Sequence, residues 1–354
     1  MIDWTTFLAV LDGAGAPAAA TERGAPADLA GAPAAPLSCI LTTHINPDGD
    51  AIGSELALAG WLEARGHAVR IVNSDPVPAR YSFLDVDGRV ETWDPDRHED
   101  AIRKAELAII LDVGRYDRLG AVGGALDPFH GRRICIDHHP VEVPIEVDLA
   151  LIDPTASATG ELLVAMMAAS GRPPDAAVAR ALYVAVMTDT GSFRYGNTTS
   201  RTHRIAAELL QYPVDTAGIY EMIYERSREA RLRLLGHALL NMEVLAGGAV
   251  VLLSITQEDM RRLGSAPGDA EGFVEIARGM DGCRIAAVFT EIAPGQVKVS
   301  LRSKGETDVN RLARKWGGGG HRNAAGIPVQ AGFDSVRAAV ARALVEAVGR
   351  ATGA

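Results

Sequence analysis

Aromatic residues are scarce in this 354-residue chain: four Trp, seven Tyr and seven Phe make up 5% of it. Cysteine is scarcer still, with only Cys39, Cys135 and Cys283. Three scattered thiols in apolar contexts give neither zinc-site spacing nor a disulfide framework, so they read as small packed hydrophobes in a reducing cytoplasm. No apolar run approaches the ~20 residues that span a bilayer, which argues against a helical membrane protein. The opening Met1-Ile2-Asp3-Trp4 lacks the basic-then-apolar order of a secretory signal. Positive charge is also in deficit, with 35 Lys+Arg against 45 Asp+Glu and a net charge of −10. That balance speaks against tight binding of long duplex nucleic acid, whose affinity comes from neutralising many phosphates. It leaves room for a small phosphorylated substrate held by a few local cations.

The length predicts about two domains. Residues 2–12 read as a short amphipathic helix, and the Ala/Gly/Pro-rich residues 13–36 as a flexible insertion. From Leu37 onward strands alternate with helices, the pattern of a parallel sheet with right-handed crossovers. The strands are the apolar runs Cys39-Ile40-Leu41, Ala68–Asn73, Leu107–Leu111 and Ile134-Cys135-Ile136, with helices over 55–65, 159–170 and 175–188. Residues 201–245 read as a helix and then a long connecting helix. A second domain begins near Gly247, with strands at 249–255, 284–291 and 296–302 and a helix at 308–316. A glycine run, a helix of small apolar residues after Asn323 and a final helix at 334–349 complete it. The expected fold is α/β: a parallel-sheet domain with helices on both faces, a helical linker and a smaller α/β domain with a mixed sheet. The expected segments are 1–36 (helix and insertion), 37–214 (catalytic domain), 215–246 (linker) and 247–354 (substrate domain).

Chemistry gathers where strands end. In the stretch Thr42-Thr43-His44-Ile45-Asn46-Pro47-Asp48-Gly49-Asp50-Ala51-Ile52-Gly53-Ser54, one imidazole and two carboxylates sit between a strand and a helix. In open α/β sheets such loops lie at the carboxyl edge, where ligands bind. His44, Asp48 and Asp50 form a mixed N/O set suited to manganese, magnesium, iron or zinc. The competing reading makes the run a plain turn, with Asp50 capping the next helix. Asp112 directly follows Leu107–Leu111, Asp137-His138-His139 follow 134–136, and the helix at 175–188 runs into Asp189. Strand ends that all carry acid or imidazole point to one shared metal site rather than to independent caps. Downstream, Gly317 to Gly320 lead into His321, Arg322 and Asn323. Glycine lets backbone N–H groups approach an anion closely. Arg302 and Lys304 close a strand upstream, where Arg302 can grip a phosphate bidentately.

The ordered motifs THINPDGDAIGS, LDVGRYDRLG, IDHHP, TDTGSFRYGNTT, LRSKGETDVN and GGGGHRNAAG resemble the DHH phosphoesterase family, in particular its nanoRNase and pAp phosphatase members. The resemblance covers the chain from residue 37 onward. It implies two divalent ions, usually manganese, with magnesium, iron or cobalt as substitutes. His44, Asp48 and Asp112 would bind one ion; Asp50, Asp112, His138 and Asp189 would bind the other, with Asp112 bridging. Asp137 and His139 would support the ligands or act as acid/base groups. Arg302, His321 and the glycines Gly318, Gly319 and Gly320 would hold the substrate's phosphate or nucleotide, with Arg118, Lys304 and Asn323 as weaker contacts. The C-terminal domain would close over the metals.

The expected activity is hydrolysis of short RNA oligomers to mononucleotides, and of 3′-phosphoadenosine 5′-phosphate (pAp) to AMP. The rivals are a cyclic or linear dinucleotide phosphodiesterase, a manganese inorganic pyrophosphatase and a non-catalytic nucleotide-binding module. A homodimer is an admissible assembly.

Overall fold

The computed structural model describes residues 2–13, 35–141 and 145–350. Most of the insertion expected at 13–36 therefore lies outside the described residues. The chain divides into two units, Met1–Arg226 and Ser227–Ala354.

Unit 1 runs α1 (Thr5–Leu11), β1 (Ser38–Thr42), α2 (Gly49–Glu63), β2 (Ala68–Asn73), β3 (Val90–Thr92), α3 (Pro95–Lys104), β4 (Leu107–Leu111), α4 (Ala121–Leu126), β5 (Arg132–Asp137), β6 (Leu149–Ile152), α5 (Thr159–Ala169), α6 (Ala176–Asp189), α7 (Ser200–Leu209) and α8 (Thr216–Tyr224). Its sheet has the order β3-β2-β1-β4-β5-β6, and every pairing is parallel. The continuous apolar runs are explained by burial on both faces. Leu107, Ile109 and Leu111 join a core with α2, α5 and α6, whereas Ala108 and Ile110 join one with α3 and α4. Strands β3 and β6 went unread in the sequence; they are edge strands of three and four residues with mostly half-exposed side chains. Such strands carry little apolar signal.

Helices α2 and α6 pack unusually closely. A Cβ built on Gly49 would lie 2.4 Å from Thr188 Oγ1, and one on Gly53 would lie 2.5 Å from the Ala181 carbonyl. Only a hydrogen fits at these positions. The close approach sets Asp50, next to Gly49, opposite Asp189, next to Thr188.

Unit 2 runs α9 (Glu229–Leu240), β7 (Glu243–Leu245), β8 (Val250–Ile255), α10 (Gln257–Leu263), α11 (Phe273–Arg278), β9 (Ile285–Ala293), β10 (Gln296–Ser303), α12 (Val309–Ala313), β11 (Gly319–His321), β12 (Ala324–Gln330) and α13 (Phe333–Arg350). Its sheet, β11-β12-β10-β9-β8-β7, is mixed: β8 and β9 are parallel and the other neighbours antiparallel.

Two sequence expectations need correction here. The long connecting helix is two helices, α8 and α9, broken between Tyr224 and Glu229. Ile219 and Ile223 of α8 bury in the core of unit 1, and Leu234 and Ala238 of α9 in that of unit 2. Two cores draw on two short stripes, and no Gly or Pro marks the break. The small-residue helix expected after Asn323 is strand β12. It pairs antiparallel with β10 from Ala324 opposite Arg302 to Gln330 opposite Gln296. Gly326 and Pro328 disfavour helix, and the strand buries Ala325 and Ile327 in the core.

Candidate metal centre

The loop after β1 carries His44 and Asp48 into α2. Asp48 caps this helix: its Oδ1 accepts the N–H groups of Asp50 (3.0 Å) and Ala51 (3.1 Å). The cap is therefore Asp48, not Asp50. Asp50 lies in the first turn and is fully buried. Its oxygens accept the backbone N–H groups of Thr159 (2.6 Å) and Gly160 (2.9 Å) at the start of α5, and the Ser54 hydroxyl (3.1 Å). The amino end of α5 thus orients this carboxylate.

Asp112 stands at the end of β4 with φ +58°, a conformation that aspartate tolerates better than most residues. Its N–H donates to the Ile136 carbonyl (3.1 Å), and the Thr159 hydroxyl donates to its Oδ1 (3.0 Å). Three imidazoles face it: His44 Nε2 at 3.6 Å, His138 Nε2 at 3.4 Å and His139 Nδ1 at 3.5 Å. His138 Nε2 also lies 3.8 Å from Asp50 and 3.6 Å from Asp189. Asp137, buried at the end of β5, accepts both the backbone N–H (3.1 Å) and the Nδ1–H (2.8 Å) of His139 through Oδ1. His44 Nδ1 lies 2.8 Å from the Ile45 carbonyl and 2.9 Å from Arg118 Nη2. Donation of an Nδ1–H to that carbonyl leaves the Nε2 lone pair facing Asp112.

The electrostatics follow from crowding acids in a dry site. Burial alone would raise the Asp112 carboxyl, but His138, His44 and His139 overcome it and hold Asp112 well below the usual carboxylate range. Burial opposes charge on His138, yet Asp112, Asp50 and Asp189 win and push it up to about 11. Burial and the charge on Asp112 push Asp50 well up, and burial raises Asp189 to about 7.

Do these residues fit divalent ions? Three sets offer ligand atoms all within 4.8 Å of one another: His44, Asp48 and Asp112; Asp50, His138 and Asp189; and Asp112, His138 and His139. Among the described residues, His138 Nε2 is buried with no hydrogen-bond partner. A nitrogen lone pair aimed among three carboxylates is the donor set that a divalent cation satisfies. The residues fit.

Sequence reasoning missed Thr159 and Gly160, whose backbone amides and hydroxyl hold Asp50 and Asp112. Backbone donors leave no mark in residue identity; the only signal was the start of a helix at 159.

In unit 2 several expected contacts are already engaged. Arg302 Nε donates to Glu275 Oε1 (2.7 Å) and Nη1 to the Leu301 carbonyl (3.0 Å). Lys304 Nζ reaches the Met280 carbonyl (3.4 Å). Asn323 also serves as a brace: its Nδ2 donates to Ser303 Oγ (2.9 Å) and to the Gly305 carbonyl (3.0 Å), pinning the 303–307 loop. The glycine run is no open cradle either. Gly319 and Gly320 lie in edge strand β11, opposite Gly326 and Ala325. A Cβ on Gly318 would lie 2.2 Å from the Gly326 carbonyl, and one on Gly320, at φ +143°, 2.4 Å from that of Ala324. These two glycines serve strand packing; Gly319 alone of the three meets open space.

Comparison with known proteins agrees with this architecture. The model of the DHH family, N-terminal domain, matches residues 38–186, and that of the DHHA1 domain matches residues 248–348. The bifunctional oligoribonuclease and PAP phosphatase NrnA of Thermus thermophilus is 32% identical over 82% of this chain and 83% of its own length. The Bacillus subtilis protein of that name is 28% identical over 82% and 88%. The crystal structure of an exopolyphosphatase-related protein from Bacteroides fragilis superposes with a TM-score of 0.81, at 29% identity, over 87% of this chain and 92% of that one. The ordered motifs, the parallel sheet with acids at its carboxyl edge and these matches together make the chain a member of the DHH phosphoesterase family, with a DHH domain followed by a DHHA1 domain.

Proposed function

We propose that this protein is a two-metal hydrolase that degrades short oligoribonucleotides to mononucleotides and dephosphorylates pAp to AMP. The observation that carries the metal centre is His138 Nε2, buried and unpartnered between Asp50, Asp112 and Asp189. The substrate class is supported by the names of the relatives from Thermus and Bacillus.

Divalent cations held by His44, Asp48 and Asp112 and by Asp50, Asp112, His138 and Asp189, manganese foremost, supply charge neutralisation for a phosphate ester and acidify water near neutral pH. Asp112, which His44, His138 and His139 all face, would be shared between the two ligand sets. Thr159 and Gly160 keep Asp112 and Asp50 from turning away as charge builds up. Asp137 fixes His139 by taking its Nδ1–H, which leaves proton delivery to the leaving oxygen to Nε2. Burial works against charge on His139, but the Asp137 bond and the nearby acids prevail and raise it. Arg118, beside His44, and Arg302 are the cations assigned to substrate phosphate. A reducing cytoplasm suits the three buried free thiols.

The test is to incubate the purified chain with manganese and, separately, pAp, a diribonucleotide, cyclic di-AMP and pyrophosphate. Turnover of pAp and the diribonucleotide is expected. Turnover of pyrophosphate alone overturns the nucleotide assignment, and turnover of nothing despite bound metal favours a binding module.

A further inference from the structure

The turn after Asp189 is built at a cost. Gly191, Ser192 and Phe193 take φ values of +56°, +59° and +63° in succession. Left-handed backbone is unfavourable for L-residues by about 1–2 kcal/mol each and is normally visited singly. Two of the three are not glycine, so the surroundings must impose this path. They do: Ser192 N–H donates to the Met187 carbonyl (2.7 Å), Phe193 N–H to Thr190 Oγ1 (3.1 Å), and Arg194 and Tyr195 N–H both to the Thr190 carbonyl (2.9 and 3.0 Å). Arg194 Nε donates to the Gly191 carbonyl (2.7 Å). Asn197 Nδ2 ties the far end back to Asp189, at 3.2 Å from its carbonyl and 3.4 Å from its Oδ2. Backbone held in rare conformations by such redundancy is found at ligand clamps.

The turn sorts its two aromatic side chains. Phe193 goes inward, stacked on His203 at 5.5 Å between centroids. Tyr195 stays 40% exposed. A Cβ built on Gly191 would lie 2.4, 2.5 and 2.6 Å from three adjacent carbons of the Tyr195 ring. The ring therefore packs against the Gly191 backbone in the turn that follows Asp189, while Tyr195 keeps 40% of its surface exposed. An exposed aromatic ring backed by fixed backbone, in the turn after a proposed metal ligand, offers a stacking platform.

We propose that Tyr195 binds a nucleobase of the substrate by stacking, a role that rests on the function proposed above. Stacking is tolerant of base identity because every base has a π-face, which suits an enzyme that must take any short sequence.

The test compares a diribonucleotide with the same molecule made abasic at one nucleotide, each position in turn, under manganese with the full chain. Tyr195→Ala is expected to raise KM for the intact dinucleotide roughly 5- to 150-fold. It should change kcat little and leave one of the two abasic analogues within about twofold of wild type. Tyr195→Phe and Tyr195→Trp should keep wild-type KM. Tyr195→Leu covers Gly191 without a π-face and should behave like Tyr195→Ala even if the alanine variant folds poorly. Equal losses on intact and both abasic substrates, or wild-type KM in Tyr195→Leu, overturn the stacking role while leaving the hydrolase intact. A wild-type protein that cleaves neither substrate, with metal bound, removes the function and this role together.

Discussion

The carboxyl edge of the sheet in unit 1 and the β10–β11 region of unit 2 hold charge in opposite ways. In unit 1, Asp48, Asp50, Asp112 and Asp189 gather around imidazoles, and the acids push His138 up against the effect of burial. In unit 2 two of the cations pair with acids: Arg302 with Glu275, and Arg322 with Glu306. The first region gathers acids around imidazoles, whereas the second pairs two of its arginines with carboxylates. A cation entering the first should compete with protons, whereas a phosphate reaching Arg302 competes with the Glu275 carboxylate for the guanidinium.

The strongest way to break this contrast is Asp112→Ala, which removes the acid that all three imidazoles face. Activity should fall to the uncatalysed background with every substrate, and metal stoichiometry by elemental analysis should drop. Arg302→Ala should leave metal content unchanged and lower kcat/KM about 10- to 150-fold, the range for losing hydrogen bonds between charged groups. Thr159→Val deletes the hydroxyl on Asp112 and should cost about 10- to 100-fold in metal affinity, measured by calorimetry. Glu275→Gln sharpens the comparison in the other direction: releasing Arg302 should lower KM by up to about fivefold, since a half-exposed ion pair holds only about 0–1 kcal/mol.

Proton counting gives the smallest signal. His138 raised to about 11 is protonated at pH 7, and Asp50 is raised as well. The sign is fixed: the metal needs the deprotonated ligand, so loading releases protons and metal affinity rises with pH. Titration calorimetry in two buffers of different ionisation enthalpy should register at least one proton released; equal heats would contradict that release.

Much of unit 1 was legible because its strands are apolar on both faces and end abruptly in acid or imidazole, as Leu111 does in Asp112. The parts that escaped are those written in backbone. The amides of Thr159 and Gly160 have no side-chain signature, and the break between Tyr224 and Glu229 is set by two cores rather than by a local stop. In unit 2 the glycine run carries two readings: Gly318 and Gly320 permit an anion cradle and a tight edge strand equally, and the nearby carbonyls of Gly326 and Ala324 add close strand packing that residue identity does not announce. Asn323 is ambiguous for the same reason, since an amide reads alike whether it serves substrate or loop.

Asp48 gives its Oδ1 to the first amides of α2 and keeps its other oxygen out of that cap. The helix is thus started by a side chain that is also a proposed metal ligand. Because that cap is a hydrogen bond within the chain, withdrawing the proposed cations should leave the start of α2 in place.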